Sequence, residues 1–122
     1  MPLKNRKILI VEDEFFLADD LAKALVVAGA RVVGPAQTVR QAVDILNDGT
    51  AIDAAVLDLN LRGEMSYEVA DALKWRDIPF AFTTGYDVGV IPPAYQKVPR
   101  WEKPSDPHVV VEQLAAMIGA RA

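Results

Sequence analysis

Ile8-Leu9-Ile10-Val11 and Ala54-Ala55-Val56-Leu57 are continuous apolar runs with no polar residue at alternate positions. A strand with one face in water alternates, so an unbroken run belongs to a strand covered on both faces. A third run, Phe80-Ala81-Phe82-Thr83-Thr84, is stopped by Gly85. Such strands need helices on either side, and helical spacing fills the intervals. Leu17, Leu21, Ala24, Leu25 and Ala28 recur at that spacing, and Gly29 supplies the stop. Val32-Val33 predicts a second short strand, closed by Gly34-Pro35. Thr38 and Gln41 form a capping box ahead of a helix striped by Val39, Ala42, Val43 and Leu46. Ser66 is placed to cap a third helix using Val69, Ala70 and Leu73. Val98 to Trp101 makes a weak fifth strand whose Pro99 marks a sheet edge. Asp106-Pro107 opens a last helix with Val111, Leu114, Ala115 and Ile118 as its stripe. The repeated alternation predicts an α/β fold, a parallel sheet with helices on both faces.

Length and charge narrow the function. At 122 residues the chain has room for one domain, spanning residues 1–122, and for no output domain. Zero cysteines exclude a disulfide framework and a thiolate metal site. A net charge of −4 argues against nucleic acid as a partner. No apolar run approaches the roughly 18 residues of a membrane span, and the short run after the basic Met1–Lys7 is no signal peptide. The expected location is the cytoplasm.

In parallel sheets, sites form beyond the carboxyl ends of the strands. Asp13 follows the first strand with Glu12 beside it, Asp58 closes the third, Thr84 closes the fourth, and Lys103 follows the fifth. Two carboxylates held about 4 Å apart repel by about 4 kcal/mol at an effective dielectric of 20. Gathering them therefore calls for a cation, a lysine partner or a raised pKa. With oxygen ligands and no cysteine, a hard divalent ion, Mg²⁺, is the expected cation.

Val11-Glu12-Asp13-Glu14, Leu57-Asp58-Leu59-Asn60, Thr84-Gly85 and Lys103-Pro104, in this order, resemble the receiver domain of bacterial two-component response regulators. Each motif alone is weak; four in register on the right elements are specific. The resemblance covers essentially the whole chain and implies a flavodoxin-like (βα)5 doubly wound sheet of order 2-1-3-4-5. Phe82-Thr83-Thr84-Gly85-Tyr86 further resembles the alphaproteobacterial FAT GUY subfamily, with Thr83 standing where that motif has alanine.

Carried over by position, the resemblance implies that Asp58 accepts a phosphoryl group from a kinase phosphohistidine. Asp13 and Asp58 would bind Mg²⁺ directly, Asn60 through its backbone carbonyl, and Glu12 through water. Lys103 would pair with Asp58 and then with a phosphoryl oxygen, and Thr84 would hydrogen-bond the phosphoryl group. The Lys103–Pro104 bond would be cis. The implied partners are a histidine kinase (HWE type, for the FAT GUY subfamily) or a phosphotransfer protein, and a downstream protein. The chain would be a phosphoacceptor in signalling or a phosphorelay, not an enzyme acting on other substrates.

Other readings are weaker. A flavodoxin-like small-molecule binder would need a Gly-rich phosphate loop where Glu12-Asp13-Glu14 stands. An Asp-nucleophile phosphatase would need a second acid where Asn60 stands. A pseudo-receiver would not keep Asp13, Asp58 and Lys103 together. One departure from the family pattern concerns the switch. The aromatic residue expected three positions before the lysine is Arg100, and Trp101 beside it points to the opposite face. The response is therefore expected in the Gly85–Lys97 segment, where Pro92-Pro93 allows only a short helix. His108 is expected at the surface, Phe15, Phe16, Phe80 and Phe82 in or near the core, and Trp75 covering the end of the third helix.

Overall fold

The computed structural model describes residues 1–85 and 91–121. Its strands are Lys7–Val11 (β1), Arg31–Ala36 (β2), Ala54–Asp58 (β3), Asn60–Leu61 (β4), Glu64–Met65 (β5), Phe80–Thr84 (β6) and Arg100–Glu102 (β7). Its α-helices are Phe15–Val27 (α1), Val39–Asn47 (α2), Tyr67–Trp75 (α3) and Pro107–Arg121 (α4). Five strands pair in parallel in the order β2-β1-β3-β6-β7. Numbered among themselves these are 2-1-3-4-5, the flavodoxin-like order that the resemblance implies. β4 and β5 form a separate antiparallel ribbon beside the end of β3.

The unbroken apolar runs are buried on both faces, as their composition requires. Leu9, Val11, Leu57 and Phe82 pack towards Val39, Ala42 and Leu46 of α2 and Val69, Ala70 and Leu73 of α3. Ile8, Ile10 and Val56 pack towards Ala18 and Leu25 of α1 and Val110, Leu114 and Ile118 of α4. The first face is aromatic. Phe82 meets Phe80, Tyr67 and Tyr95 edge-on, and Tyr67 stacks on Tyr95 at 4.6 Å.

Several local expectations change on contact with the fold. β2 does not stop at Gly34-Pro35 but runs on to Ala36 across an irregularity in its pairing with β1. Gly34 makes this possible. It has φ +94°, and a Cβ there would lie 2.8 Å from the Ile10 carbonyl oxygen. Thr38 caps α2 by accepting the Gln41 N–H at 3.0 Å, but the Gln41 side chain accepts from Gln37 N–H and not from Thr38. Ser66 stands at the N-cap of α3 without capping it; its buried hydroxyl donates to the Leu59 carbonyl. β7 begins after Pro99, whose carbonyl accepts the Phe82 N–H, and it is indeed an edge strand.

Phe80 and Phe82 are buried, but Phe15 and Phe16 are not, at 65% and 79% exposure. They occupy the first turn of α1 and pack edge-on against each other instead of on the sheet. Trp75 is also exposed, at 88%, rather than packed over the end of α3. The stripe Val69, Ala70 and Leu73 fixes the buried face of α3, and a residue two positions after Leu73 falls on the opposite side. In the Gly85–Lys97 segment the described residues contain a single 3₁₀ turn, Pro93–Tyr95, as the proline pair suggests. Residues 86–90, on which much of the expected response falls, lie outside the described residues. No helix among the described residues is long and apolar enough to cross a membrane.

Candidate functional site

Every site residue named from the sequence lies at the carboxyl edge of the parallel sheet, because each ends or follows one of its strands. Main-chain bonds lock those ends together. Glu12 N–H donates to the Ala36 carbonyl at 2.9 Å, Leu59 N–H to Thr83 at 2.9 Å, and Lys103 N–H to Thr84 at 2.8 Å. The Lys103–Pro104 peptide is cis, as the resemblance implies. Thr84 itself is buried.

Carboxylate oxygens of Glu12, Asp13 and Asp58 lie within 4.8 Å of one another. Lys103 answers two of these acids. Its Nζ is 2.7 Å from Asp58 Oδ2 and 2.9 Å from Glu12 Oε1, with Glu14 more distant at 3.8 Å. Asp58 is 3% exposed, and its Oδ1 also accepts the Asn60 N–H at 3.1 Å. Arg62 answers the third acid, with its Nε 3.3 Å from Asp13 Oδ2. Three carboxylates thus face two cations. The expected lysine partner is present, and a raised pKa accompanies it.

Burial pushes the Glu12 carboxyl up from the ordinary 4.5 to about 7, and Asp58 adds to the rise, while Lys103 and the Glu14 N–H oppose it. For Lys103, burial disfavours the charge, but the bonds to Asp58 and Glu12 outweigh it and the pKa is raised. The folded chain therefore holds the Glu12 proton more tightly than the unfolded chain does. Stability from this group is complete below about pH 4.5 and is lost as pH rises through about 7. In a chelating buffer the wild type should lose stability from this group as pH rises across that window. Glu12→Gln should flatten the dependence. Urea unfolding of both proteins over a pH series checks this, and parallel curves would contradict it.

The donor set fits a hard divalent cation: three clustered carboxylates, with Asp13 partly open to solvent. Glu12 is the most committed of the three. Both its oxygens bond Lys103, and one also accepts the Glu14 N–H. Asn60 sits in β4, where its side-chain oxygen accepts the Gly63 N–H at 2.7 Å.

Arg62 was not singled out from sequence. It and Gly63 form the two-residue turn between β4 and β5, both with positive φ, +53° and +91°. A residue-glycine pair between short extended segments was the available signal. Arg100 is exposed, and Trp101 faces α4, where its indole donates to Gln113. The sheet register puts Arg100 beside Phe82 and Glu102 beside Thr84, so no β7 aromatic lies on the side of Phe82. His108 is exposed in the first turn of α4.

No family model and no curated protein matches the chain. Solved structures do. The solution structure of SdrG from Sphingomonas melonis Fr1 is 42% identical over 97% of this chain and 98% of that one, with a TM-score of 0.80. The BeF3-activated conformation of SdrG, from Pseudomonas melonis Fr1, is 42% identical over 92% and 95% of the two chains, with a TM-score of 0.75. A response regulator receiver protein from Sinorhizobium medicae WSM419 has the same fold at 23% identity, covering 98% and 99%, with a TM-score of 0.82. With a near full-length relative at this identity, and the sheet order and acid–lysine edge expected of the group, the chain belongs to the response regulator receiver domain family.

Proposed function

We propose that Asp58 accepts a phosphoryl group from a phosphohistidine of a histidine kinase or phosphotransfer protein. The supporting observation is the buried Asp58 carboxylate, held by Lys103 at 2.7 Å within a three-carboxylate cluster. A carboxylate oxygen of Asp58 forms the new bond to phosphorus. The donor's N–P bond breaks, and its imidazole nitrogen keeps the electron pair and takes up a proton. Lys103 then pairs with a phosphoryl oxygen, and the Thr84 hydroxyl donates to another. Mg²⁺, held by Asp13, Asp58 and the Asn60 carbonyl, with Glu12 through water, would neutralise the repulsion between the two anions.

The phosphorylated chain would signal by protein contact or pass the group on in a relay. FAT GUY membership and an HWE-type donor belong to this proposal and rest on Phe82-Thr83-Thr84-Gly85-Tyr86, of which Tyr86 lies outside the described residues. The existence of a BeF3-activated form of SdrG supports phosphoryl chemistry for this chain by likeness. Incubation with Mg²⁺ and acetyl phosphate, followed by intact mass, tests it. One added phosphoryl group is expected; an unmodified chain would refute the reading.

The two acids after β1 should differ in Mg²⁺ binding. Asp13→Ala should weaken it far more than Glu12→Ala, since Glu12 is already engaged by Lys103 and acts through water. Titration calorimetry of both variants decides. Equal losses would mean shared or reversed roles.

A further inference from the structure

Lys103 gathers Glu12, Asp58 and, more distantly, Glu14. Asp13 is paired instead with Arg62, across 3.3 Å, and its side chain is only 12% exposed. Arg62 reaches it from a short, defined mount. Asn60 pairs with Met65 and Leu61 with Glu64, so residues 62 and 63 form the whole turn. The Gly63 N–H is tied back to Asn60 Oδ1 at 2.7 Å. The Arg62 backbone has φ +53° and its side chain is largely in solvent. The guanidinium therefore lies against the carboxylate most open to an incoming ion.

We propose that Arg62 is a tethered competitor of the divalent cation: it neutralises Asp13 in the metal-free chain and must be displaced when the ion binds. This rests on the Mg²⁺ reading above. Two effects act in the same direction. The ion must break the Arg62–Asp13 pair before it gains that oxygen, and a displaced guanidinium still carries its charge on a ribbon beginning two residues after Asp58. Both weaken Mg²⁺ binding, and neither touches Asp58 or Lys103. The pair is partly exposed, so the effect is that of a surface ion pair, about two- to fivefold in affinity.

The test is calorimetric Mg²⁺ titration of the full chain at fixed ionic strength. Arg62→Asn suits the position because asparagine tolerates positive φ. Arg62→Gln removes the charge with a longer side chain, and Arg62→Lys keeps it. Expected are affinities about two- to fivefold tighter for R62N and R62Q, with R62K close to wild type. Unchanged or weaker binding in R62N and R62Q, while wild type binds and Asp13→Asn does not, overturns the role of Arg62 and leaves the metal site standing. Failure of the wild type to bind Mg²⁺, or full binding by Asp13→Asn, overturns the metal reading and this inference with it. Tightening in R62K equal to that in R62N would show that charge is not the cause, and would also overturn it.

Discussion

Asp58→Asn is expected to abolish phosphoryl uptake and leave the fold intact. The amide keeps the shape of the carboxylate, and its one oxygen can accept from the Asn60 N–H or from Lys103 Nζ but not from both. What is lost is the nucleophile, because a carboxamide oxygen attacks phosphorus poorly beside a carboxylate. The variant also removes one of three clustered charges. Lys103 keeps Glu12 at 2.9 Å, so stability should match or slightly exceed the wild type. Intact mass after Mg²⁺ and acetyl phosphate, with a urea melt alongside, reads both halves. A phosphoryl group on the variant would sink the assignment of Asp58.

Lys103→Met should have the largest effect on stability. The substitution fills similar space but leaves Glu12 and Asp58, both nearly fully buried, without the cation that bridges them. Stranding buried charge in this way costs about 3–5 kcal/mol. The loss should depend on pH, with a sign set by Glu12. Burial and Asp58 already raise its pKa, and Lys103 is the side chain that holds it down. Without the lysine, Glu12 takes up a proton more readily, and the protonated acid no longer needs a cation. The gap between variant and wild type should therefore narrow as pH falls and widen as it rises. Urea midpoints at acidic and alkaline pH check this. A gap independent of pH would show that the lysine stabilises the edge by packing rather than by charge.

The sheet was legible because a strand covered on both faces has little freedom in composition. Ile8 to Val11 and Ala54 to Leu57 could serve hardly any other purpose, and each led to the acid that follows it. The acid–lysine site followed from the same logic, since strand ends in a parallel sheet converge on one edge. What failed to show was local competition. Ser66 has the side chain of a helix cap, but the nearby Leu59 carbonyl takes its hydroxyl. Phe15 and Phe16 have the side chains of core residues, but burial of apolar groups is a tendency and not a rule for each residue. The ribbon carrying Arg62 was hidden because its two strands have two residues each, too short for any periodicity. Its pairing with Asp13 joins residues distant in sequence, which only the folded sheet brings together.

The two tryptophans give the protein a built-in optical readout. Trp75 is 88% exposed, so its emission already resembles that of an indole in water and should change little when the chain unfolds. Trp101 is half-buried between β7 and α4, with its indole N–H on Gln113. A shift in the emission maximum therefore reports the seam between the edge strand and the last helix. That seam begins two residues before Lys103, so rearrangement at the acid–lysine edge that reaches β7 registers as a colour change without any added label.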